Sequence, residues 1–172
     1  MKNYTVKQIN EFAQENWPEM YTPLHEFSTY LYRVRDLSFT RAREATASFN
    51  LSGGEFDILA ALRRSPEPHV ITPTELQHSL LITSGGLTKL LYQLAAAGLI
   101  KRSTQEQDKR SKLVHLTPKG KKISGQAMAA AQATNKAWLD EAFTEQEFRQ
   151  LRLLLSKAAS VLEQNNSAEQ SD

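Results

Sequence analysis

Residues 102–122 read RSTQEQDKRSKLVHLTPKGKK, and nothing else in the chain is like them. Cations crowd the segment, one Asp stands two places before an Arg, and Thr117-Pro118 follows the last apolar residues. Between 101 and 122, eight Lys or Arg face only Glu106 and Asp108, a net charge of +6. The whole chain carries +2, so the other 150 residues sum to −4. A concentrated basic patch on a slightly acidic body is the electrostatic footprint of a polyanionic partner. The apolar residues have an order of their own. LIKRS (99–103) and KLVHLT (112–117) are strand-like runs, and polar TQEQDKRS separates them, which predicts a β-hairpin with a long tip.

Upstream of the hairpin, glycine and proline punctuate the sequence. Over 23–49 the apolar residues Leu24, Phe27, Leu31, Val34, Leu37, Ala45 and Phe49 recur mostly at threes and fours, predicting a long amphipathic helix. NLSGGEF breaks it. A second helix follows over about 54–63, with Phe56, Leu59, Ala60 and Leu62 apolar. SPEPHV is a loop, and 69–71 has strand character. TPTEL carries a helix start, with Thr72 as N-cap, Pro73 in the first helical position and Glu75 completing a capping box. That third helix is short, from 73 to about 80. Thr83 or Ser84 caps a fourth, which runs to about 97. Gly98 then stands where a left-handed residue is wanted, with Leu99 packing back behind it.

Downstream, Thr117-Pro118 opens a helix with an alanine-rich inner face of Ile123, Ala127, Ala130, Thr134 and Trp138. Thr144 and Glu147 form a second capping box. The last helix places Phe148, Leu151, Leu155, Ala158 and Leu162 at alternating steps of three and four, as in a coiled-coil seam. The fold class is therefore mainly α with a small β-hairpin wing, a winged helix-turn-helix between long N- and C-terminal helices. Residues 1–20 read as an N-terminal extension, 21–49 and 118–165 as a helical dimerisation region, 50–117 as the winged helix-turn-helix, and 166–172 as a disordered tail. The outer helices carry more apolar face than one chain covers, which points to a homodimer.

Several function classes fall away. With no cysteine there are no disulfides, thiolate metal sites or thiol redox sensors, and the composition suits the cytoplasm. The N-terminal residues hold no apolar run of signal-peptide length, and no run of about 18 apolar residues offers a membrane span. The four histidines, His25, His69, His78 and His115, show no metal-ligand spacing. There is no Gly-x-Ser-x-Gly elbow, and SGG is too short for a phosphate loop. We expect no catalytic residues, no metal and no cofactor.

DKRSKLVHLTPKGKK resembles the wing signature of the MarR family, Asp-x-Arg, an apolar strand, then Leu-Thr-x-x-Gly. Here that is Asp108, Arg110, Leu113, Val114, Leu116, Thr117 and Gly120. TPTELQHSLLITSGGLTKLLYQLAAAGLIKR resembles the family's third and fourth helices and first wing strand, and GGEFDILAALRRSP its second helix. The likeness runs through most of residues 22–165 in order and spacing. It implies a homodimeric winged helix-turn-helix transcription factor on a pseudo-palindromic operator in double-stranded DNA, usually a repressor released by a small molecule.

In such a fold the first turns of the fourth helix enter the major groove. Leu87, Leu90, Leu91 and Leu94 form its buried side, leaving Ser84, Gly85, Gly86, Thr88, Lys89 and Tyr92 to face DNA. The hydroxyls of Ser84 and Thr88 suit base edges or phosphates, and Lys89 suits guanine acceptors. Gly85-Gly86 either allows close backbone approach or merely weakens the helix start, at about 1 kcal/mol per Gly. Arg110 at the wing tip suits the narrow minor groove, Asp108 stabilises the wing by pairing with a cation, and Lys109 and Lys112 neutralise phosphates.

A finer likeness is to the urate-responsive subgroup, which shares GEFD-LA-LRRS, LTPTEL and SG-T and has an extra N-terminal helix. That subgroup's ligand set is a Trp, an Asp and two Arg. The Asp matches Asp57 and one Arg matches Arg102, but the other Arg falls on Leu90, and the Trp falls near Phe12 or Ala13 unless Trp17 substitutes. We therefore expect a small aromatic or acidic effector with little response to urate, lined by Trp17, Tyr21, His25, Tyr30, Arg33, Asp57 and Arg102. The alternative reading is a winged-helix protein–protein interaction module that no longer reads DNA, favoured by the glycine pair and by the absence of a large basic residue at Ser84.

Overall fold

A computed structural model describes residues 4–80, 83–104 and 112–169. They form α1 (Val6–Asn16), α2 (Pro23–Ala47), α3 (Gly53–Arg64), β1 (Val70–Ile71), α4 (Pro73–Leu80), α5 (Ser84–Ala96), β2 (Ile100–Thr104), β3 (Lys112–Leu116), α6 (Pro118–Ala142) and α7 (Glu145–Glu169). The chain divides into two units, residues 1–132 and 133–172.

Helix starts are where the sequence puts them, because each has a side chain to meet its orphan backbone donors. Glu75 Oε2 accepts from Thr72 N at 2.7 Å, and Glu147 Oε2 from Thr144 N at 2.8 Å. Two further capping boxes stand at Thr5–Gln8 and Ser52–Glu55. The exit of α5 is equally well defined. Gly98 has φ +71°, Leu99 N donates to Leu94 O at 2.9 Å, and Gly98 N donates to Ala95 O at 3.0 Å. These two bonds make a Schellman motif around a left-handed residue, and they turn the chain directly into β2.

The strands form one antiparallel sheet in the order β1-β3-β2. Ile100 pairs with Leu116 and Thr104 with Lys112, while Val70 pairs with His115. Val114 is buried on the inner face of β3, while Lys112, two residues earlier at the start of the strand, is exposed. Val114 meets a core of Ile58, Leu59 and Leu62 from α3, Leu76 from α4, Leu87, Leu91 and Leu94 from α5, and Ala127 from α6. Each fully buried Leu or Ile contributes roughly 1.5–3 kcal/mol, so the three winged-helix helices and the sheet stabilise one another.

One expectation is corrected. On α6 the buried positions within the first unit are Gly120, Ser124, Ala127 and Ala131. The expected Ile123 and Ala130 are only half-buried. Gly120 packs against the backbone of Leu99 and the side chain of Leu116, where a Cβ would collide, and a search for apolar residues passes over such a position. The last helix, α7, runs to Glu169. It follows that the low apolar content after Leu162 does not end the helix; neither glycine nor proline stands there to break it.

The long helices leave wide apolar faces uncovered in the single chain. In the first unit Leu24 of α2 is 71% exposed, and Phe27, Leu31, Val34 and Leu37 are also exposed. In the second unit Phe148, Leu155 and Leu162 of α7 are exposed and Leu151 is half-buried.

Nothing lies within 4 Å of the point a Cβ would occupy at Gly98. Its cost on substitution is then purely conformational. Gly98→Ala is expected to lower unfolding free energy by about 1–2 kcal/mol, checked by urea denaturation.

Candidate nucleic-acid interface

The fourth predicted helix, α5, is held from behind and open in front. Leu87, Leu91 and Leu94 are buried, and Leu90 is half-buried against the core. Ser84, Gly85, Gly86, Thr88 and Lys89 are all exposed, and Tyr92 is 64% exposed. All six expected interface residues of this helix therefore share its solvent side. Thr83 caps the helix through Gly86 N at 3.3 Å, leaving Ser84 outside the cap. Thr88 Oγ1 donates to Ser84 O at 2.9 Å, so its lone pairs face outward as acceptors. No atom approaches within 4 Å of a Cβ at Gly85. Packing inside the chain thus gives no reason for glycine there.

Beside α5 stands the base of the wing. Lys101 and Lys112 are exposed on β2 and β3. Arg102 lies over the Tyr92 ring with its guanidinium carbon 5.0 Å from the centroid, a cation–π contact that ties β2 to the open face of α5. Asp108, Lys109 and Arg110 lie outside the described residues. Two other members of the basic run, both exposed, make hydrogen bonds within the chain. Lys119 Nζ donates to Ala97 O at 2.8 Å and Lys121 Nζ to Glu67 Oε1 at 3.1 Å.

Comparison with known proteins agrees with this geometry. Residues 49–111 match the model of the MarR family. The HTH-type transcriptional regulator PecS of Dickeya dadantii is 34% identical over 119 residues, 69% of this chain and 71% of PecS. The chain belongs to the MarR family. A MarR mutant from E. coli complexed with operator DNA superposes with a TM-score of 0.64 at 25% identity, covering 85% of this chain and 96% of that one. CouR from Rhodococcus jostii RHA1 bound to p-coumaroyl-CoA shares the fold, with a TM-score of 0.63 at 20% identity over 77% of this chain and 91% of CouR. The MarR relatives are transcriptional regulators rather than enzymes. Among the described residues no group of three or more His, Asp or Glu is placed to hold a metal, and no helix is long and apolar enough to cross a membrane.

The effector-site residues expected of this MarR chain have contacts in four different places. Tyr21 and His25 come together, with ring centroids 6.1 Å apart. Arg33 Nη2 donates to Tyr4 O at 3.2 Å, tying α2 to the start of α1. Trp17 and Tyr30 are exposed. Asp57 faces Arg43 Nη2 at 3.8 Å, and Arg102 is the partner of Tyr92. Leu90 lies on the α3 side of α5, its Cδ1 2.8 Å from where a Gly54 Cβ would be.

Sequence reasoning missed Asn10 and Arg43. Asn10 is buried on α1, and among the described residues neither its Oδ1 nor its Nδ2 has a partner; the same holds for His25 Nε2. The signal was present, since Val6, Asn10 and Ala13 follow helical spacing and Asn10 falls within the apolar stripe. Arg43 stacks on Phe39 at 4.4 Å and lies where a Cβ of Gly53 would be, 2.3 Å from its Cζ. Only tertiary packing brings those groups together with Asp57.

Two substitutions test this face. Gly85→Ala is expected to raise stability by about 1 kcal/mol through helix propensity while weakening DNA binding in a mobility-shift titration. Equal binding would show that the glycine serves no close approach. Burial raises the Asp57 pKa above 3.8, opposed by the charges of Arg43 and then Arg64. The sign follows from linkage. An acid with a raised folded pKa loses stability as pH rises through that value. Asp57→Asn is therefore expected to be more stable than the parent at neutral pH, with the difference in thermal midpoint shrinking as pH falls through the carboxylate range.

Proposed function

We propose that this chain is a homodimeric repressor that reads a pseudo-palindromic operator in the cytoplasm and is released by a small aromatic or acidic effector. The observation that carries the reading is α5 itself, a helix pinned by Leu87, Leu91 and Leu94 with its polar side bare beside a basic wing base. Ser84, Thr88 and Lys89 face base edges, Gly85 and Gly86 allow close approach, Tyr92 borders the groove, and Lys112 meets a phosphate. Lys109 joins it, Arg110 enters the minor groove, and Asp108 holds the wing in shape. The uncovered apolar faces of α2 and α7 pack on the second copy, which sets two recognition helices one duplex turn apart. Exposure as large as 71% at Leu24 and 65% at Leu162 is more than a lone soluble chain leaves in a continuous stripe.

The effector side draws on α1 and α2. Tyr21, His25, Trp17, Tyr30 and Arg33 lie on or between these helices, and the unpartnered Asn10 amide and His25 Nε2 supply the polar groups a ligand would satisfy. Asp57 and Arg102 retain the side chains of the urate-responsive set, but Leu90 places a core-packed aliphatic chain where that set has an arginine. The effector acts by favouring a dimer with misplaced half-site spacing.

Mobility shifts with the DNA upstream of the chain's own gene are expected to show binding that weakens steeply with salt. Arg110→Ala lowers affinity by roughly tenfold or more if the arginine makes a charge-assisted contact, while the circular dichroism of the variant stays that of the parent. Sedimentation at micromolar concentration is expected to show a dimer. A selection from random duplexes that enriches no palindrome at any salt concentration would leave the protein-interaction module as the better reading. Urate is expected to move the thermal midpoint little; a shift of several degrees that disappears in Asp57→Ala would show that Leu90 was misjudged.

A further inference from the structure

The basic run is not spent as its charge suggests. Three successive carbonyls leave the end of α5, and the start of α6 meets all three. Lys119 Nζ donates to Ala97 O at 2.8 Å, Thr117 Oγ1 donates to Gly98 O at 2.8 Å with Leu99 O at 3.0 Å, and Thr117 N donates to Leu99 O at 3.1 Å. The same hydroxyl accepts from Gly120 N at 3.0 Å, so Thr117 caps α6 while holding α5. Gly120 permits the approach. A Cβ there would stand 2.1 Å from Leu99 O and 2.9 Å from Leu116 Cδ1. On the other side of the same turn, Lys121 Nζ donates to Glu67 Oε1 at 3.1 Å, and Glu67 lies 3.5 Å from His69 Nε2. His69 is buried, its Nδ1 2.8 Å from Ser65 O and its Nε2 2.9 Å from Arg63 Nη1 at the end of α3.

We infer that the first turn of α6 is a two-sided joint that sets the angle at which the recognition helix meets DNA. Thr117, Lys119 and Gly120 grip the exit of α5, and Lys121 grips the exit of α3 through Glu67. Where the long helix points therefore decides where α5 points. Lys119 and Lys121 are positioning residues rather than phosphate contacts, and the basic run mixes cations that face the duplex with cations that orient the helix facing it. The functional part rests on the DNA reading proposed above; the geometric part does not.

The two kinds of cation have different salt signatures. Removing a phosphate contact lowers the slope of log K against log salt by about one, whereas removing a positioning residue leaves it unchanged. With the operator recovered by duplex selection, Lys119→Met is expected to weaken binding roughly tenfold, the worth of one charge-assisted hydrogen bond, at the parent's slope. Lys119→Arg keeps a donor and recovers most of the affinity. Lys112→Ala is the comparison that loses slope. A reduced slope in Lys119→Met, or unchanged affinity, overturns the assignment.

A second measurement needs no DNA. The chain has no cysteine, so spin labels on exposed Gln93→Cys of α5 and Ala129→Cys of α6 are unique within each chain. With labelled chains diluted in unlabelled ones, the distance distribution is expected to widen in Thr117→Val and in Lys119→Met. An unchanged distribution refutes the joint. If the labels report widening while the parent binds no duplex, the joint stands and the DNA reading fails.

Discussion

Burial of Leu87, Leu91 and Leu94 is the constraint on which the rest of the winged-helix unit depends. Three leucines at helical spacing can be covered only if α3, α4 and the sheet close over one side of α5. Closing that side leaves the other bare. The display of Ser84, Thr88, Lys89 and Tyr92 is thus a consequence of core packing, not a separate arrangement. The Gly98 exit then carries the chain straight into β2, which brings the wing to the same side as the bare face. A helix that served only as core would not leave Tyr92 so exposed beside an arginine.

Charge in this molecule has to be read by place rather than by total. A net +6 between residues 101 and 122 is the charge expected of a polyanion-facing segment as a whole. Yet a lysine whose ammonium sits on a helix-terminal carbonyl, as Lys119 does, has one of its three donors engaged with the protein. It favours the negative end of the α5 dipole and steadies the helix instead of neutralising a phosphate. The Thr117–Gly120 pair also gives the Leu-Thr-x-x-Gly pattern a physical content. The threonine serves two helices at once, and the glycine admits a backbone carbonyl where any side chain would collide.

The outer helices obey a different logic. Their apolar faces are long and exposed in the isolated chain, as expected if the second copy proposed above covers them. The α1–α2 hairpin adds unpartnered buried polar atoms at Asn10 and His25.

The sequence alone determined the element order, the helix starts and the wing, because capping boxes, a left-handed glycine and strand alternation are local signals acting over a few residues. It also marked the open side of α5, since helical spacing separates the leucines from Ser84, Thr88 and Lys89. Tertiary structure decided the rest. It joined Arg43 to Asp57, Arg102 to Tyr92 and Lys119 to Ala97, and it turned Gly120 and Ser124 inward on α6. These pairings link residues far apart in the chain, through groups whose own chemistry admits many partners. A lysine reads the same in sequence whether it faces a phosphate or a carbonyl, and only the packing of the helices around it makes the choice.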